Sequence, residues 1–197
     1  MDYPSNAGFP HFFFDTYSGY LLQVLPISLI AGVIYLIIER RKSANVPLGE
    51  KICRMLFVNY MTGLICLVLA RDVIGSIWYK LVYHQNEGLV IRMFARNCNL
   101  IPDFFTHVNA EMIVNVFVFL PFGVLYPLSR AKATWKKTML IGFVYIMSIE
   151  ALQPFFGRAF DINDICLYMI GVSTSTLLFF GCKKVVKAGA RFERRHH

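Results

Sequence analysis

The segment SGYLLQVLPISLIAGVIYLII, residues 18–38, carries no charge and stops abruptly at Glu39-Arg40-Arg41-Lys42. At about 1.5 Å per residue, a helix of about 20 residues crosses the roughly 30 Å hydrocarbon core of a bilayer. Backbone N–H and C=O groups inside hydrocarbon can be satisfied only by helices or closed barrels, so this run reads as a transmembrane helix. Composition agrees. The 197 residues are 56% hydrophobic and 15% aromatic, and only 16% are charged, against about 25% in a typical globular domain.

Four further apolar runs follow, at 52–70, 108–128, 138–152 and 162–181. The expected fold is an all-α integral membrane protein, one membrane domain over 1–197 built as a bundle of five transmembrane helices. Pro121 lies inside the third run, frees a backbone carbonyl and should kink that helix. Asn59 and Thr62 are three residues apart in the second run, share a helical face and predict an interhelical hydrogen bond. Residues 71–106 contain no span. There Ile77, Tyr79, Leu81 and Tyr83 alternate with Trp78, Lys80, Val82 and His84 ahead of Asn86-Glu87-Gly88. The alternation predicts a β-hairpin; an interfacial segment in helical form is the alternative.

The charge pattern orients the chain. Five crossings put the termini on opposite sides. Fifteen of the twenty lysines and arginines then fall on one side: Arg40, Arg41, Lys42, Lys51 and Arg54, the 130–137 loop, and the tail from Lys183. The positive-inside rule makes that side cytoplasmic, with the N-terminus outside, residues 71–106 extracellular and the C-terminus cytoplasmic. The net charge of +8 is thereby read as a topology signal, and no nucleic-acid partner is expected. Five cysteines at scattered positions include no C-x-x-C pair, so neither a zinc site nor a disulfide framework is indicated.

The densest polar stretch joins spans four and five: Ser148-Ile-Glu150-Ala-Leu-Gln153-Pro-Phe-Phe-Gly157-Arg158-Ala-Phe-Asp161-Ile-Asn-Asp164. Charges between apolar segments are costly and mark function by default. Glu150 and Gln153 share a face at the C-terminal end of span four, where the helix dipole disfavours a carboxylate. Glu150 must therefore find a cation or hold its proton. Asp161 stands where an N-cap belongs and Asp164 lies three residues on, an aspartate version of the capping box. Arg158, with a planar fork suited to carboxylates, is expected to bridge them, an ion pair with Glu150 foremost. Asn115, one turn inside span three, is at a depth comparable to that of Glu150, Asn99 is on the outer loop just before that span, and His107 is near the same entrance. The candidate binding residues are Asn99, Asn115, Glu150, Gln153, Arg158, Asp161 and Asp164, with Glu150 the candidate catalytic group. No metal-ligand spacing is present, and no metal or cofactor is expected.

Taken together, Asn99-Leu-Ile-Pro102, Asn115-x3-Phe119-x-Pro121-x-Gly123, Ser148-x-Glu150-x2-Gln153, Gly157-Arg158-x2-Asp161-x2-Asp164 and Gly171 resemble the VanZ-like family over about residues 50–182. Two positions depart from the family pattern. Val114 stands where a glycine often precedes the asparagine, and Tyr168 stands where an asparagine tends to follow Asp164. A tyrosine lacks the paired donor and acceptor of an amide. The resemblance implies a bacterial membrane protein, without a cofactor, connected with resistance to teicoplanin-type lipoglycopeptide antibiotics in Gram-positive bacteria.

Two functional readings follow. In the first, an outer-face polar site binds a membrane lipid, a lipid-linked cell-wall precursor or the lipoglycopeptide itself, and so confers or modulates resistance at the plasma membrane. In the second, the protein is a membrane-embedded enzyme acting on an extracellular lipid-linked substrate, with Glu150 as general acid or base and an aspartate as its partner.

Overall fold

The computed structural model describes residues 17–42, 46–83, 98–102, 105 and 110–196. His107 and the second half of the expected hairpin, from Asn86 to Phe94, lie outside the described residues. Among the described residues there are six α-helices: α1 (Tyr17–Lys42), α2 (Leu48–Val68), α3 (Arg71–Tyr83), α4 (Ala110–Ser129), α5 (Trp135–Leu152) and α6 (Ile162–His196). Two short strands, β1 (Cys98–Asn99) and β2 (Phe160–Asp161), pair with each other.

Five of the helices are long and apolar enough to cross a membrane, at Ser18–Arg40, Leu48–Val68, Met112–Ser129, Trp135–Phe156 and Ile162–Gly189. Each of the five apolar runs is thus a helix. Several extend past the apolar window, α1 to Lys42 and α6 to His196. Helix α4 continues through both Pro121 and Pro127.

Residues 77–83 are helical, which corrects the hairpin expected there. The 3.6-residue period prevails over the apparent alternation, because Arg71, Ile74 and Trp78 recur on one face. The Trp78 indole Nε1 donates to the Gln23 carbonyl of α1 at 3.1 Å. The Arg71 guanidinium lies 4.0 Å over the Tyr20 ring and donates to its hydroxyl at 3.1 Å. Asp72 in the first turn and Lys80 in the last complement the helix dipole.

The chain divides into two compact units. The first comprises residues 1–98 with 151–160, the second 99–150 with 161–197. In the first, Val24 of α1, Met61, Leu64 and Val68 of α2, and Ile74 of α3 are buried. Near the α1–α2 connection, Arg54 donates Nη1 to Glu39 and Nη2 to Glu50, each at 2.7 Å. One guanidinium fork therefore ties the end of α1 to the start of α2. Asn59 faces α1 as its helical position predicts, and a Cβ built on Gly32 would fall on its side-chain oxygen. That oxygen is buried and has no hydrogen-bond partner among the described residues, so the expected interhelical bond is replaced by close packing.

In the second unit, α4 and α6 run in the same direction and α5 returns between their ends. Phe119, Phe122, Ile146 and Val172 are completely buried. Tyr168 is also buried, its ring 4.4 Å from that of Phe119. Position 168 thus belongs to the core of this unit, and its aromatic ring packs where the family pattern has an amide. Gly171 is needed because α4 passes over it: a Cβ there would lie 2.3 Å from the Val116 carbonyl oxygen. Two turns along α4, Gly123 meets Ser175 and Thr176 in the same manner. Small residues allow such approach, and inside a bilayer this packing is a main source of helix association.

Replacing Gly171 by leucine should separate α4 from α6. Thermal unfolding of the detergent-solubilised protein is expected to show a loss of about 1–3 kcal/mol or more, the usual cost of overpacking. Gly181→Ala, whose added Cβ meets nothing within 4 Å, should not lower stability.

Candidate functional site

Helix α5 stops at Leu152, and a single 3-10 turn, Gln153–Phe156, follows it. Pro154 cannot donate to a continuing α-helix. Gly157 then adopts φ 81°, a left-handed conformation that disfavours any residue with a Cβ. Two bonds close the turn: Gly157 N–H to the Pro154 carbonyl at 3.3 Å, and Arg158 N–H to the Gln153 carbonyl at 3.1 Å. Strand β2 comes next, and α6 begins at Ile162.

This reversal brings the start of α6 to the end of α5. The Asp161 backbone N–H donates to Glu150 Oε2 at 3.4 Å, a long bond. The Asp161 carboxylate accepts the N–H of Asn163, the second residue of α6, at 2.8 Å. Asp161 is therefore the N-cap that its position predicts. The same Oδ1 accepts the Asn99 amide at 3.2 Å, and Asn99 Oδ1 accepts the Ile101 N–H at 3.2 Å. One turn further along, Asn115 of α4 donates Nδ2 to Asp164 Oδ1 at 2.6 Å.

Two expectations change. In a capping box the N3 carboxylate reaches back to the N-cap N–H. Here Glu150, from the preceding helix, receives that N–H, and Asp164 bonds across to α4. The dipole argument about Glu150 is also incomplete. Its carboxylate does lie at the C-terminal end of α5, but it also receives the N–H of Asp161, at the positive start of the next helix. Glu150 is fully buried, and a buried carboxylate in that position has a backbone donor to hold.

The guanidinium expected to bridge the carboxylates is engaged elsewhere. Arg158 Nη1 donates to the Val68 carbonyl at 3.0 Å, satisfying a free carbonyl at the C-terminus of α2. Gln153 is 1% exposed, and its Nε2 has no hydrogen-bond partner among the described residues. Both belong to the first unit. The structure thus brings together Asn99, Glu150 and Asp161, with Asn115 and Asp164 one turn away, all in the second unit. The β1–β2 pairing that delivers Asn99 escaped the sequence, because strands of two residues leave no periodic signal.

Chemically, the group offers three carboxyl groups and two carboxamides at a helix start. Such a set accepts hydrogen bonds from hydroxyl, amide or amine donors. Among the described residues no three His, Cys, Asp or Glu side chains converge as metal ligands.

Asp161→Ala removes the cap and the Asn99 tie together and should cost about 1–2 kcal/mol. Asp161→Asn keeps a capping oxygen and should cost less. Thermal unfolding in detergent, with hydrogen exchange at the start of α6, separates the two.

A family model described as VanZ/LLP1 matches residues 57–184, a stretch that contains every candidate residue and leaves α1 and the last part of α6 outside. Protein VanZ of Enterococcus faecium is similar, 30% identical over 125 residues, which cover 63% of this chain and 71% of that protein. No solved structure matches. With the model covering more than half of its length, the chain belongs to the VanZ/LLP1 family.

Proposed function

We propose that this protein acts in the bacterial plasma membrane to confer or modulate resistance to teicoplanin-type lipoglycopeptides. The polar group of Asn99, Asn115, Glu150, Asp161 and Asp164 is its binding site, for a membrane lipid, a lipid-linked cell-wall precursor or the drug itself. Family membership supports the resistance role. The observation that supports the site is the convergence of Asn99, Glu150 and Asp161 on the first turn of α6. These side chains come from three separate parts of the chain and are joined by hydrogen bonds at one helix start. Each of the three ligand classes carries hydroxyls, amides or amines, donors that a set of carboxylates and carboxamides can orient. Gln153 and Arg158 remain candidates on the turn that precedes the site, with Arg158 acting through its bond to α2.

The proposed topology has the N-terminus outside and the C-terminus in the cytoplasm. Its support is the asymmetry of lysine and arginine between the two sets of loops. In that topology α3 lies at the outer membrane interface, as its 13 residues are too few to cross about 30 Å of hydrocarbon, and the turn at Gln153–Phe156 faces outward.

Expression in a lipoglycopeptide-susceptible Gram-positive host tests the function. Wild type should raise the inhibitory concentration of teicoplanin. Asn115→Ala, Glu150→Gln and Asp164→Asn should return it to that of the empty host at equal membrane levels. Unchanged susceptibility with wild type would refute the resistance role. Full resistance in all three variants would refute the site alone.

Topology is tested separately by labelling with a membrane-impermeant thiol reagent in intact cells. A cysteine at Phe155 should react from outside, and one at Ala133 only after lysis.

A further inference from the structure

Helix α6 does not end where its apolar run ends. The run finishes at Gly181, yet the helix continues to His196. The added turns contain Lys183, Lys184, Lys187, Arg191, Arg194 and Arg195, with Glu193 as their one acidic residue. At 3.6 residues per turn, these six positions fall within an arc of about 120° on the helix. Glu193, Val185, Val186 and Phe192 all lie at least about 60° outside the arc. Lys183, Lys184 and Lys187 are exposed. At the foot of the stripe, Lys183 Nζ lies 6.0 Å from the ring centroids of both Phe179 and Phe180, an aromatic–cation grouping suited to the membrane–water boundary.

A topology signal needs only a number of cations near the end of a span; it does not require them to share a face. Their alignment calls for a second explanation. From Gly181, Lys187 lies about 9 Å along the axis and Arg195 about 21 Å, at 1.5 Å per residue. The lower half of the stripe is thus at headgroup depth. A modest lean toward the cationic side brings the upper half within about one Debye length, roughly 8 Å at physiological ionic strength. A lean toward the opposite side would turn all six away. We propose that this stripe is an anionic-lipid docking surface, which holds the C-terminal extension of α6 against the phosphate headgroups of the leaflet it enters. Four of the six cations lie beyond the matched family region, which ends at residue 184, and the surface does not depend on the binding site proposed above.

The test uses the full-length chain in nanodiscs, of phosphatidylcholine alone or with a substantial fraction of phosphatidylglycerol. Amide exchange is followed by mass spectrometry over peptides covering residues 183–196. Each surface cation contributes about a fivefold preference for an anionic membrane, so exchange should slow at least about fivefold in the anionic discs. High salt, or the variant K187Q/R191Q/R194Q/R195Q, should abolish the difference while peptides from α4 and α5 stay unchanged. Equal exchange in the two lipids would overturn the proposal. Protection that appears only on adding an acidic polypeptide such as polyglutamate would overturn it as well, and would assign the stripe to a protein partner.

Discussion

The first N–H groups of α6 have no carbonyl one turn behind them, and the place where they emerge lies against another helix. Asp161 takes one of them and Glu150 takes the N–H of Asp161 itself. Two carboxamides support carboxylates at this helix start. Asn99 steadies the capping carboxylate, and Asn115 steadies Asp164 one turn later. A helix start buried without such partners would cost about 1–3 kcal/mol for each unsatisfied group, and more in hydrocarbon. The family motif of this region is therefore, in the first place, a solution for starting a helix at the edge of a membrane, and the proposed binding site is assembled from the same side chains.

The turn that makes this geometry depends on covalent constraints. Pro154 ends α5, Gly157 reverses the chain in a conformation other residues resist, and Arg158 leaves the turn to close the carbonyl end of α2. In the first unit, Arg54 joins two glutamates on adjoining helices. Twice in the first unit, then, an arginine joins separate elements, a task suited to its fixed planar array of donors.

Much was legible before any coordinates. The five spans could be read from length and hydropathy because a bilayer imposes a fixed thickness on any helix that crosses it. Asp161 could be read as an N-cap because capping is local, and Asn59 could be placed on the face toward another helix by counting residues. Gly171 could be recognised as part of a motif, but its reason could not: only the passage of the Val116 carbonyl explains why no side chain fits. The hairpin expected at 77–83 failed because alternation over so few residues is compatible with a helix whose contacts recur every three or four positions, and the contacts of Arg71 and Trp78 with α1 decided between them.

By itself, then, the sequence determined that the chain is a helical membrane protein of this family, where its spans lie and which side chains are too polar to be there by accident. The tertiary structure decided their partners. Glu150 looked misplaced at the negative end of its own helix, and it is explained by the positive start of the next one. Arg158 looked like a bridge between carboxylates, and it closes α2 instead. The physical reason is the same in both cases. Hydropathy and capping act along the chain over a few residues, whereas the satisfaction of a buried charge depends on groups that only the reversal of the chain brings within hydrogen-bonding distance.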